Sequence, residues 1–201
     1  MARAPVVPVM VIENVEDAVP LARALVKGGL PVLEITLRTA KAVDCIRAII
    51  AEVEGAIVGS GTVLTPEQLR ESEKLGCKFA VSPGSTGRLL GAAEDQEIAL
   101  LPGGVTASEC MALLEWGYAI QKFFPAEPAG GTAYLSSLAS PLPQIRFCPT
   151  GGITPETAPS YLKLPNVITV GGSWMAPKKL IAAKDWAGIE RLASEAAQLK
   201  G

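Results

Sequence analysis

The sequence predicts a (β/α)8 barrel built as a single domain over residues 1–201. Three observations carry that reading. Eight short apolar or β-branched runs recur along the chain, amphipathic helical stretches lie between them, and no linker or low-complexity tract divides them. A chain of 201 residues can build one substantial core. It is near the lower size limit of such a barrel, so the loops must be short.

The runs fall at 6–12, 32–36, 57–60, 79–82, 99–102, 119–124, 145–149 and 167–170. The first follows Met1-Ala2-Arg3 and faintly resembles a signal peptide. Prolines interrupt it, however, and no small-residue cleavage site precedes Glu13, so it reads as a strand. Helical periodicity then covers 15–27 after Asn14, 41–52, 66–75 after Thr65, 107–116 after Thr106 and 156–162 after Thr154. Pro66 and Pro155 directly follow Thr65 and Thr154, the pairing of an N-capping hydroxyl with a proline at the first helical position. A last helix at about 186–199 closes the ring.

Composition narrows the function. The net charge is -2 and no Lys/Arg-rich block occurs, which argues against a nucleic-acid partner. No apolar run approaches the roughly 20 residues that span a bilayer. Charged residues make up 19% of the chain, against about 25% in typical soluble proteins, and a buried oligomer interface accounts for the difference. Cys45, Cys77, Cys110 and Cys148 are widely spaced, with no Cys-x-x-Cys pair and no histidine, so the common zinc patterns are missing and no metal site is expected. They read as reduced thiols of a cytoplasmic protein. The lack of histidine also excludes Ser-His-Asp and Cys-His mechanisms, leaving acid/base work to carboxylates, lysine, tyrosine or water.

Chemistry in such a barrel collects at the C-terminal ends of the strands. In the sixth run, period-two alternation puts Ile120, Lys122 and Phe124 on one face, so Lys122 is carried into an apolar interior. Desolvation there should depress its pKa and make it a nucleophile toward ketones. The alternative is a lysine snorkelling from a strand end to solvent. In the second run Glu34, Thr36 and Arg38 alternate with Ile35 and Leu37, which aims a carboxylate and a guanidinium inward. They are either a structural ion pair or an acid/base group beside an arginine that grips a substrate anion. Glycine-rich ends follow at Gly59-Ser-Gly-Thr62, Ser82-Pro83-Gly84 and Leu101-Pro-Gly-Gly104. The last two runs end in Thr150-Gly151-Gly152 and Gly171-Gly172-Ser173, where barrels of this type commonly hold a phosphate on backbone N–H groups.

Five blocks, Pro-Val-Leu-Glu34-Ile-Thr-Leu-Arg38-Thr, Gly-Ser-Gly-Thr62-Val-Leu, Lys122-Phe-Phe-Pro-Ala-Glu127, Phe147-Cys-Pro-Thr-Gly-Gly-Ile153 and Gly171-Gly-Ser-Trp174, resemble the 2-keto-3-deoxy-6-phosphogluconate (KDPG) aldolases over nearly the whole chain. The resemblance implies a metal-free, cofactor-free class I aldolase of the Entner-Doudoroff pathway, usually a homotrimer, with pyruvate and a phosphorylated keto sugar acid as its small-molecule partners. It further implies Lys122 as the Schiff-base residue and Glu34 as the acid/base. Arg38 and Thr62, with Pro83 nearby, would hold the substrate carboxylate. Phe124 and Thr150 would line the substrate site, and Gly151, Gly152, Gly172 and Ser173 the phosphate loops. Thr150 occurs where the related phosphogalactonate aldolases tend to be apolar, which favours the gluconate epimer.

Two departures stand out. Family members often carry a leading helix over the barrel's bottom, whereas here the first strand begins a few residues after Met1. Gln121 replaces an apolar or aromatic residue, but alternation turns it toward the helices. Three other readings remain open. The aldolase could act mainly on 4-hydroxy-2-oxoglutarate or on the galactonate epimer. A phosphate-binding barrel isomerase or synthase could merely pair Lys122 with Glu34, and a noncatalytic phosphosugar-binding barrel could keep the same rim.

Overall fold

The computed structural model describes residues 4–200. Eight parallel strands form its centre: β1 (Val6–Met10), β2 (Val32–Thr36), β3 (Ile57–Gly61), β4 (Phe79–Val81), β5 (Ala99–Leu101), β6 (Ile120–Phe123), β7 (Arg146–Pro149) and β8 (Val170–Gly172). Regular pairing runs β5-β4-β3-β2-β1-β8, and β6 pairs with β7. Single bridges, Gly103 to Lys122 on one side and Thr150 to Gly171 and Phe147 to Val167 on the other, complete the ring. The barrel expected from the sequence is therefore the barrel found. The eighth strand lies later than 167–170, because glycines with weak strand propensity pair with β1 through Val7–Gly171 and Pro8–Gly172. Tertiary pairing overrides local preference there.

The helices are α1 (Val15–Lys27), α2 (Ala42–Glu52), α3 (Pro66–Lys74), α4 (Gly87–Glu94), α5 (Ala107–Glu115), α6 (Gly131–Ser137), α7 (Ala158–Leu162), α8 (Lys178–Ala182) and α9 (Trp186–Ala197). Thr65 caps α3 by accepting from Gln68 N, and Thr106 forms a reciprocal capping box with Glu109 on α5. Asn14 flanks α1 without capping it, its amide donating instead to Asp17 Oδ2. Thr154 opens a turn rather than the helix. Its hydroxyl accepts from Thr157 N, and α7 starts only at Ala158.

Strand alternation splits the core in two. Outward residues such as Leu33, Ile35, Phe123 and Phe147 pack under the helices with Leu21, Leu25, Ile46 and Leu69. Inside the barrel lies a smaller cluster of Val7, Val32, Phe79, Val81, Leu101 and Cys148. Gln121 faces the helix layer as alternation requires, fully buried, with its amide donating to Cys110 O and Tyr118 O. At the N-terminal end of β4–β6 an apolar recess is lined by Phe79, Ala99, Leu101, Tyr118 and Ile120. Ile120, inward by alternation, is consequently 44% exposed.

Candidate active site

Above the apolar inner cluster sit two charges. Lys122 on β6 and Glu34 on β2 are each 3% exposed, and Lys122 Nζ donates to Glu34 Oε1 at 3.2 Å. The snorkelling alternative is thereby removed. Packing forces this outcome: Gln121 and Phe123 are committed to the helix layer, so the residue between them must point into the barrel. Each ion depends on the other, because removing one partner of a buried pair typically costs about 3–5 kcal/mol. Next to Lys122 in the β6–β7 register stands Cys148. Burial pushes its thiol from the ordinary 9.0 up to about 12, with Lys122 opposing and Glu34 reinforcing the shift. It stays protonated at neutral pH and is a poor nucleophile.

Room for the carboxylate comes from β3. A Cβ on Gly61 would lie 2.7 Å from Glu34 Cγ and 2.8 Å from its Cδ, so the glutamate rests on bare backbone. Thr36, also buried, is consumed structurally, its hydroxyl donating to Met10 O at 3.0 Å.

Arg38 departs from expectation. Since β2 ends at Thr36, the guanidinium is not in the interior but on the exposed rim, where its Nε donates to Thr62 Oγ1 at 3.0 Å. Among the described residues no Arg38–Glu34 ion pair forms, so the core-bridge alternative fails. Thr62 has φ 58°, a left-handed conformation that costs a β-branched residue about 1–3 kcal/mol. Such strain is characteristic of functional sites.

A cavity of about 160 Å³ opens at this rim, lined by Val9, Val11, Arg38, Phe124, Thr150, Gly151, Gly152, Ile153, Gly171, Gly172 and Ser173. Phe124 links it to the buried pair, its ring centroid 5.3 Å from Lys122 Nζ. Gly151 and Gly152 have φ 103° and 81°, which few residues with a Cβ adopt. The carbonyls of Thr150 and Gly151 accept from Ala126 N and Glu127 N, tying this loop to the one after β6. Pro83 lies outside the cavity lining, in a turn closed by the Ser82 hydroxyl on Gly84 O, with its carbonyl against Gly103. Among the described residues no group of three or more His, Cys, Asp or Glu side chains could hold a metal ion.

The sequence model of the KDPG and KHG aldolases matches residues 1–192. The chain belongs to this family. It is 52% identical to the KHG/KDPG aldolase of Escherichia coli K12 over 194 residues, 96% of this chain and 91% of that one. The crystal structure of the 2-keto-3-deoxy-6-phosphogluconate aldolase of Zymomonas mobilis ZM4 with 3-phosphoglycerate superposes with a TM-score of 0.94 at 51% identity, covering 99% of this chain and 94% of that one. The KDPG aldolase of Legionella pneumophila, with pyruvate captured as a covalent carbinolamine, superposes at 0.96 with 45% identity over 98% and 96% of the two chains.

Within this KDPG/KHG aldolase family member, sequence reasoning passed over Gly61, Cys148, Glu127 and Tyr161. Gly61 and Cys148 carried a usable signal, the inward parity they share with Glu34 and Lys122 across neighbouring strands. Tyr161 on α7 carried none. Its hydroxyl donates to Glu127 Oε1 at 2.6 Å, a contact between residues 34 apart in the chain.

Proposed function

We propose that this chain is a class I aldolase that cleaves 2-keto-3-deoxy-6-phosphogluconate to pyruvate and glyceraldehyde 3-phosphate. The observation that carries the reading is the buried Lys122–Glu34 pair at 3.2 Å beneath a cavity walled by glycine loops. Lys122 is the amine in that interior, and the neighbouring thiol is kept protonated by burial.

The reaction runs as follows. Glu34 takes a proton from Lys122, and the free amine adds to the C2 ketone. Glu34 returns that proton to the carbinolamine hydroxyl, which leaves as water. The resulting iminium draws the electrons of the C3–C4 bond toward nitrogen while Glu34, a carboxylate again, removes the C4 hydroxyl proton directly or through water. The aldehyde product leaves, the enamine is protonated at C3, and water releases pyruvate and the lysine. Arg38, held by Thr62, pairs with the substrate carboxylate. Phe124 and Thr150 shape the middle of the site, with Pro83 at its edge. Backbone N–H groups of Gly151, Gly152 and Gly172, with the Ser173 hydroxyl, receive the phosphate. No metal takes part.

The Escherichia coli relative, named a KHG/KDPG aldolase, supports 4-hydroxy-2-oxoglutarate as a second substrate. Thr150 supports the gluconate rather than the galactonate epimer. A homotrimer fits the low charge content and the exposure of Leu64 and Met111, 55% and 52%. Four buried free cysteines fit a reducing cytoplasm, and the Entner-Doudoroff pathway is the setting. Among the described residues no helix is long and apolar enough to cross a membrane.

Borohydride reduction with pyruvate, followed by peptide mass mapping, tests the reading. A reduced pyruvyl adduct on Lys122 is expected. Labelling elsewhere or not at all, or activity lost in EDTA and restored by metal, overturns it.

A further inference from the structure

The family blocks leave Glu127 unused, and the geometry gives it a task. It sits in the loop after β6, exposed, while its partner Tyr161 on α7 is completely buried. The Tyr161 hydroxyl donates to Glu127 Oε1 at 2.6 Å. Burial first, and the Glu127 carboxylate second, hold that phenol well above its usual pKa, so it remains a donor. Glu127 also touches the Gly151-Gly152 loop in two ways. Its backbone N–H donates to Gly151 O at 3.0 Å, and a Cβ on Gly152 would fall 2.7 Å from Glu127 Cβ.

We infer that Glu127 and Tyr161 are positioning residues for the Gly151-Gly152 loop, and that their hydrogen bond sets how well this aldolase discriminates phosphorylated from unphosphorylated keto acids. The inference rests on the proposed phosphate site and adds to it the parts that hold that site in shape.

Two physical effects act in the same direction. A loop of glycines has little stiffness of its own, and backbone donors bind an anion well only when held in place beforehand. The Tyr161 bond supplies that restraint from the helix following the loop, so both ends of the β7–α7 connection are anchored to one residue. The bond also restrains an exposed carboxylate next to the proposed phosphate. Released, that carboxylate would repel a dianion. Neither effect reaches the bond that breaks, which lies by Lys122.

The test uses the full chain with Tyr161→Phe, Glu127→Ala and Glu127→Gln, measuring kcat and KM on 2-keto-3-deoxy-6-phosphogluconate and on 4-hydroxy-2-oxoglutarate. Tyr161→Phe and Glu127→Ala should lower kcat/KM for the phosphorylated substrate about tenfold, chiefly through KM, the scale of one hydrogen bond to a charged group. Cleavage of 4-hydroxy-2-oxoglutarate should stay within about twofold. Glu127→Gln, whose amide oxygen can accept from the same hydroxyl, should restore the wild-type ratio. Equal loss on both substrates in folded variants, or no loss on either, overturns the inference alone. A wild-type enzyme that does not favour the phosphorylated substrate overturns the phosphate reading and the inference with it, and Lys122 trapping remains a separate test of the amine chemistry.

Discussion

The barrel interior and its rim are built from opposite materials. In the interior, Lys122 and Glu34 are long side chains on regular strands, each 3% exposed and braced by apolar neighbours. At the rim four glycines open the wall, Gly151 and Gly152 in left-handed conformations and Gly171 and Gly172 at the end of β8, with Arg38 and Ser173 in exposed positions beside them. Bond making needs an amine and a carboxylate fixed within hydrogen-bonding reach, which strands provide. Holding a remote anion needs several donors converging on one point, and bare backbone can approach it most closely. A defect in the interior should therefore strike turnover on every substrate, and a defect at the rim should strike selectively.

Glu34→Gln should break the interior most severely, lowering kcat by roughly 10² to 10⁴ on both substrates, with a lower melting temperature because Lys122 loses its buried counter-ion while the chain still folds. Steady-state kinetics beside a thermal melt checks this, and unchanged turnover would reduce Glu34 to a structural partner. Gly61→Ala is the milder interior test. Its methyl meets the Glu34 side chain, 2.7 Å from Cγ and 2.8 Å from Cδ, rather than backbone, so the glutamate must shift and its displacement from Lys122 should cost about 10² in kcat. A variant with native kcat would show that Glu34 tolerates displacement. Ser173→Ala probes the rim. It should reduce kcat/KM on the phosphorylated substrate by about tenfold, the low end for one hydrogen bond to a charged group, and spare 4-hydroxy-2-oxoglutarate.

The smallest effect concerns pH. Burial raises Cys148 from 9.0 to about 12, and raises Cys77 and Cys110 to about 11. In the unfolded chain these thiols ionise near 9, so the unfolded state binds fewer protons above that pH. Stability is thus complete below about pH 9 and declines as pH climbs toward the folded values. Urea midpoints between pH 8 and 11 should fall with rising pH, and Cys148→Ala should flatten part of the slope. A flat wild-type profile would show that these thiols ionise alike in both states.

The fold was legible because barrels repeat a simple instruction. Seven of the eight strand runs and the threonine caps at Thr65 and Thr106 appear where periodicity puts them. Legibility failed where local preference and tertiary pairing disagree. The eighth strand includes Gly171 and Gly172 because β1 offers them partners, and α7 begins after a turn although Thr154-Pro155 reads as a helix start. Arg38 has the inward parity of Glu34, yet parity holds only while the strand lasts, and β2 stops at Thr36.

By itself, then, the sequence determined which faces of the strands are buried, and hence that Lys122 and Glu34 would enter one interior, because side-chain parity is a local property of extended backbone. Only the tertiary structure decided that the two meet at 3.2 Å across a barrel, that Gly61 makes room for the carboxylate, and that Tyr161 reaches Glu127. Those contacts depend on how the ring closes and on which loops become neighbours. That is settled by packing among residues far apart in the chain, 34 positions for Tyr161 and Glu127 and 88 for Lys122 and Glu34, separations at which no local pattern carries information.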